Sequence, residues 1–107
     1  MIEDLTPCQV AERLRGPAPP VLVDVRERWE FETAAIIGAH HLPLGELPNR
    51  FGEVPRDRPV VLHCHHGARS MQAACWLEAH GYTQLANLAG GIDAWSREVD
   101  PGVPRYS

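Results

Sequence analysis

Apolar positions along the 107-residue chain fall into short blocks that switch between two periods. Three blocks, Val21–Asp24, Val60–His63 and Leu85–Leu88, are short, continuous and mostly aliphatic. Such runs read as strands buried on both faces, the pattern of a parallel sheet. Between them the period lengthens toward that of a helix. Val10, Ala11 and Leu14 share one face, opened by Thr6, Pro7 and Gln9 as N-cap, first helical residue and capping box. Ala73, Trp76 and Leu77 share another face in the best helix of the chain, residues 68–80, with Met71, Ala74 and Cys75 beside it. Ile92, Trp95 and Val99 mark a last helix.

Gly and Pro punctuate these blocks. Gly16 stops the first helix, and residues 17–20 form an extended connector. Residues 29–35 read as a short helix, and residues 38–42 as a turn entering a short strand limited by Pro43. Leu44, Leu47 and Phe51 fall at helical spacing, with Pro48 keeping that helix short. Gly81 is the expected left-handed residue after the long helix. Gly90 and Gly91 turn the chain into the last one, and residues 100–107 wrap the surface. Alternation of strand and helix predicts an α/β fold: a small central parallel β-sheet with helices on both faces. It also predicts one domain over residues 1–107.

Composition narrows the function. The net charge of −4 opposes a nucleic-acid surface, which needs clustered Lys and Arg. No run approaches the roughly 20 apolar residues that span a bilayer, and no secretory leader is visible at the amino terminus. Three cysteines without framework spacing fit a reducing compartment, so the expectation is cytoplasmic. Cys75, mid-helix, is expected in the core, and Cys8 at a helix start.

The chemistry concentrates in Cys64-His65-His66-Gly67-Ala68-Arg69-Ser70. The order strand, cysteine, glycine loop, helix puts the Cys64 sulfur at the carboxyl end of a buried strand, facing a helix N-terminus. Ligands of open α/β sheets bind at that edge. Unpaired N–H groups and the helix dipole stabilise a thiolate, the nucleophilic form of cysteine. Gly67 lets the backbone curl around the sulfur. Arg69 suits the anionic end of a donor. Ser70 suits a hydrogen bond within the loop, and His65 and His66 stand at its tip. Asp24 and Arg26, after the neighbouring strand, are expected to brace the loop from behind.

Three segments together resemble the single-domain rhodanese family. They are Val-Leu-Val-Asp-Val-Arg-Glu at 21–27, the Cys64 loop with its Cys-x-x-Gly-x-Arg-Ser form, and Leu-Ala-Gly-Gly-Ile-Asp-Ala-Trp at 88–95. The chain departs from the family at Ala34, Ala35 and Ile37, in a turn where many members read Gly-His-Ile-Pro-Gly-Ala, and rejoins it at Gly38 and Ala39. The resemblance implies transfer of a sulfane sulfur from thiosulfate or a similar small anionic donor to cyanide or a thiol. The carrier would be a persulfide on Cys64 cradled by the N–H groups of residues 65–69, with no metal or organic cofactor. Partners implied besides small molecules are sulfur-relay proteins, with the chain then acting as a persulfide carrier between them.

Two rival chemistries fit less well. Phosphatases and arsenate reductases of this fold place five residues between cysteine and arginine; here four intervene, His65 to Ala68. The consecutive His63, Cys64, His65 and His66, and the pair His40-His41, offer metal-ligand types. Neighbours on an extended chain point apart, so no metal site is expected.

Overall fold

The computed structural model describes residues 2–107. Five strands form one sheet: β1 (Glu3–Leu5), β2 (Val21–Asp24), β3 (His40–His41), β4 (Val60–His63) and β5 (Leu85–Leu88). Their order across the sheet is β1-β5-β4-β2-β3, and every pairing is parallel. The helices are α1 (Pro7–Arg15), α2 (Arg28–Thr33), α3 (Leu47–Arg50), α4 (Ala68–Ala79) and α5 (Gly91–Glu98). Single 3₁₀ turns, Leu44–Glu46 and Phe51–Glu53, flank α3.

Period-two alternation divides each central strand between two cores. Val23, Val60, Leu62 and Leu85 pack with Leu47 of α3 and with Ala73, Ala74 and Leu77 of α4. Leu22, Val61 and Ala86 pack on the opposite side with Val10 and Ala11 of α1 and Ile92 and Trp95 of α5. Both faces are therefore dry, which is why these strands are almost wholly apolar. The exceptions, Asp24, His63 and Asn87, cluster toward the carboxyl ends, where Asp24 pairs in register with His63 and Leu62 with Asn87.

The capping box at α1 forms: Thr6 Oγ1 accepts from the Gln9 N–H at 3.2 Å and Gln9 Oε1 from the Thr6 N–H at 2.9 Å. The long helix stops at Ala79, and Gly81 takes a φ of 94°. The helix expected over 29–35 spans Arg28–Thr33 instead. Strand β1 escapes the sequence pattern because it is a three-residue edge strand with only Leu5 buried. Cys75 is exposed, not in the core. The buried stripe of α4 is Ser70, Ala73, Ala74 and Leu77, at helical spacing, and Cys75 lies 100° or more around the axis from it. Among the described residues no helix is long and apolar enough to cross a membrane.

Candidate active site

Strand β4 ends at His63, and Cys64 follows with 1% of its surface exposed. The chain then curls back through Gly67, whose φ of 110° only glycine adopts without strain, and enters α4. That curl turns the Gly67 N–H onto Cys64 Sγ at 3.1 Å. The Ser70 hydroxyl, one turn into α4, lies 3.3 Å from the same sulfur. No side chain caps α4, so its dipole is directed at the loop.

A second helix holds the loop from the other side. The first N–H groups of α5 donate to it, Ile92 to the Cys64 carbonyl at 2.8 Å and Asp93 to the His65 carbonyl at 3.1 Å. This approach needs Gly91: a Cβ there would stand 2.4 Å from the His65 carbonyl oxygen and 2.5 Å from that of Cys64. The Gly-Gly pair is thus a packing requirement of the cysteine loop.

Ser70 has one proton and three acceptors within reach: Sγ, the Gly67 carbonyl at 3.2 Å and Asn87 Oδ1 at 2.5 Å. Asn87 Nδ2 donates to Asp4 Oδ1 at 3.0 Å and to the Gly67 carbonyl at 3.3 Å, which aims Oδ1 at Ser70. Asn87 went unnoticed in the sequence, although an amide ending an apolar strand is the one available signal.

Arg69 differs from expectation. Its two Nη atoms donate to the two carboxylate oxygens of Glu30, at 2.7 and 2.8 Å, in place of standing free for a donor anion. The Glu30 residue is buried, and its carboxylate also accepts from the Glu27 N–H at 3.0 Å and the Tyr106 hydroxyl at 2.7 Å. The Arg69 hydrogen bonds outweigh the cost of burial and hold Glu30 at about 2. Glu30 and Tyr106 were both missed; they lie 39 and 37 positions from Arg69 on either side and meet it only through the fold.

Asp24 and Arg26 are fully buried and joined by two side-chain hydrogen bonds, Arg26 Nη2 to Asp24 Oδ2 at 2.6 Å and Nε to Oδ1 at 2.9 Å. Burial opposes the charge on Asp24, but its bonds to Arg26 prevail and its pKa is lowered. Arg26 also donates to the carbonyls of Glu30 and Ala34 and to the Tyr106 hydroxyl. It therefore ties down α2 and the carboxy-terminal segment, and reaches the loop through intermediaries: the Glu30–Arg69 pair and the Tyr106 ring stacked on His65. His63 sits 3.8 Å from Asp24 Oδ2, and among the described residues neither of its ring nitrogens makes a hydrogen bond of ordinary geometry.

The loop brings its adjacent histidines together, contrary to the extended-chain expectation. Their rings stack at 4.0 Å, and His65 stacks on Tyr106 at 4.1 Å. One ligand-type atom each of His65, His66 and Asp93 lies within 4.8 Å of the others. Asp93, however, already faces Arg105 at 2.9 Å and Arg97 at 3.4 Å. Two guanidiniums beside the one carboxylate work against a further cation, and the cluster reads as an ion-pair group.

Against known proteins, the profile of the rhodanese-like domain matches residues 6–98. A protein named Sulfurtransferase from Allochromatium vinosum is 39% identical, the match covering 96% of each chain. Thiosulfate sulfurtransferase GlpE of Stutzerimonas stutzeri is 33% identical over 83% of this chain and 81% of its own. The crystal structure of a rhodanese-like domain protein from Staphylococcus aureus superposes with a TM-score of 0.85 at 26% identity, covering 99% of this chain and all of that one.

Proposed function

This chain belongs to the rhodanese-like sulfurtransferase family, and from that premise we propose that it moves a sulfane sulfur through a persulfide on Cys64. The observation that carries the reading is the pair of donors, the Gly67 N–H and the Ser70 hydroxyl, meeting on one buried sulfur at the head of α4. The N–H favours an anionic sulfur, as does the helix dipole, and the hydroxyl adds to them when its one proton turns from Asn87 Oδ1 to Sγ.

In the first half-reaction the Cys64 thiolate attacks the outer sulfur of thiosulfate. The S–S bond of thiosulfate breaks with its electron pair, and sulfite leaves. The new sulfur stands about 2 Å beyond Sγ. That extension suits a cysteine buried as deeply as this one, because it carries the reactive atom toward the mouth. In the second half-reaction cyanide or a thiolate attacks this outer sulfur, and Cys64 leaves as the thiolate. Two half-reactions give ping-pong kinetics.

A second reading, a persulfide carrier between proteins, draws support from Arg69. Its guanidinium is engaged by Glu30, which leaves less free positive charge to capture a small dianion. A protein donor docks through other surfaces and does not need that charge.

Intact mass spectrometry tests the proposal. The protein should gain one sulfur after thiosulfate, and Cys64→Ser should not. Persistent absence of the adduct with thiosulfate and with glutathione persulfide refutes the persulfide. Fast loading from the persulfide beside slow thiosulfate turnover favours the carrier.

A further inference from the structure

The carboxy-terminal segment reads from the sequence as a surface wrap, yet it is built into the site. Val103 is buried in the α1–α5 core, and its carbonyl accepts from the Ser96 hydroxyl at 2.6 Å. Arg105 grips the Asp93 carboxylate with two hydrogen bonds, at 2.9 and 3.3 Å. These anchors bring Tyr106 to the carboxyl edge of the sheet. There its hydroxyl accepts from Arg26 Nη1 at 3.0 Å and donates to Glu30 Oε2 at 2.7 Å. Its ring lies nearly parallel to that of His65, 11° between planes, and meets Trp29 edge-on. A tyrosine 42 positions beyond the nucleophile thus touches the residue next to it, and also Arg26 and the Glu30 carboxylate that holds Arg69.

We propose that the Tyr106 ring is a positioning and specificity-determining group of the Cys64 site. Residues 103–106 form a strap, and the ring holds the imidazole of His65, the residue after Cys64, in place. The hydroxyl locks the ring to Arg26 and Glu30, which are themselves immobilised by burial and ion pairing. With the His65 ring fixed beside the nucleophile, bulky donors meet it and small ones pass, so the site favours small donors. The inference takes sulfur transfer from the reading above but places residues independently of it.

The strap also sets the surroundings of His65. Burial lowers the pKa of this imidazole, and so does its neighbour His66; the Tyr106 backbone, Asp93 and Glu30 act the other way. Freed from the strap, the ring regains water while Asp93 and Glu30 remain nearby. Its protonation midpoint then rises.

The experiment compares the parent chain with Tyr106→Phe, Tyr106→Ala and Arg105→Ala. Arg105 is exposed and touches neither Cys64 nor Glu30, so its loss loosens the strap; its partner Asp93, beside His65 and His66, then raises the His65 midpoint on its own account, and the donor ratio is the deciding readout for this variant. Two quantities are read: the ratio of kcat/KM for glutathione persulfide to that for thiosulfate, and the His65 midpoint by NMR. In Tyr106→Ala the ratio should rise about fivefold or more, the scale of one lost packing contact, and the midpoint should move upward. Arg105→Ala should follow in the same direction by less. Tyr106→Phe keeps the ring and should stay within about twofold of the parent. An unchanged ratio in both Tyr106→Ala and Arg105→Ala, with an unchanged midpoint in Tyr106→Ala, overturns the proposal; should the Tyr106 variant not fold, the ratio of Arg105→Ala decides alone. A moved midpoint with an unchanged ratio overturns the specificity role. If the parent takes sulfur from neither donor, the sulfur-transfer reading fails separately, and the midpoint in Tyr106→Ala still decides whether the strap positions His65.

Discussion

Acidification should destabilise this protein through one buried ring, well before its carboxylates protonate. His63 is wholly buried, neither ring nitrogen makes a hydrogen bond of ordinary geometry among the described residues, and burial pushes its pKa down to about 4 despite the Asp24 carboxylate at 3.8 Å. In the unfolded chain a histidine titrates near 6.5. Between these values the unfolded state binds the extra proton, so stability falls as the pH drops through that window. From the folded value of about 4, the loss between pH 7 and pH 4.5 is about 2.5 kcal/mol at 1.36 per unit. That is a large share of the ~5–15 kcal/mol that holds a domain together. Glu30 and Asp24 do not confuse the measurement, because their lowered pKa values put their contribution on the other side. Stability from those carboxylates is fully present above about pH 5.5, has lost only a small part by 4.5, and goes mainly below that. The assay is urea unfolding, followed by far-UV circular dichroism at steps between pH 7 and 4.5, for the parent and His63→Phe. The phenylalanine has similar bulk and no proton to gain. The parent should lose about 2.5 kcal/mol more over the window than the variant, whose own smaller loss includes the contribution of His65. Parallel curves for the two proteins would refute the account of His63 as a neutral, solvent-starved imidazole.

Two further substitutions probe how the cup around the sulfur is held. Ser70→Ala removes the hydroxyl 3.3 Å from Cys64 Sγ and should slow alkylation of Cys64 by iodoacetamide at neutral pH about three- to tenfold, the worth of one ordinary hydrogen bond, because its proton is shared with Asn87. The same variant strands Asn87 Oδ1 and should cost about 1–3 kcal/mol in urea; an unchanged alkylation rate would show that the hydroxyl serves only Asn87. Gly91→Ala drives a Cβ into the carbonyls of Cys64 and His65 at a φ of 62°. It should cost on the order of 3 kcal/mol from overlap and left-handed strain, lowering the melting temperature by roughly 12 °C or more; a shift under about 3 °C would mean the loop moves aside freely.

The sequence by itself was enough for whatever depends on a few consecutive residues. The Thr6–Gln9 box and the aliphatic runs at 21–24, 60–63 and 85–88 declare themselves through periodicity and capping, whereas in α4 only Ala73 and Leu77 of the expected face are fully buried and the stripe runs on through Ser70 and Ala74. The cysteine, the left-handed glycine and the helix start occupy one contiguous stretch, so the setting of Cys64 was readable before any coordinates. Strand β1 was not, because an edge strand with polar residues has little pattern and takes its conformation from pairing with β5. The partners of the loop were hidden for a related reason. Ser70 meets Asn87 from 17 positions away, Arg69 meets Glu30 from 39, and Tyr106 meets Arg26 from 80. Which side chains gather at the carboxyl edge follows from strand order, register and the path of the last eight residues, and none of these is written in local propensity. Tertiary structure therefore decided what the chemistry-bearing residues do: it turned Arg69 toward a carboxylate, buried the Asp24–Arg26 pair, and drew the chain's far end over the site. Burial removes water from these charges, and each then pairs with whatever opposite charge or donor the fold brings within reach.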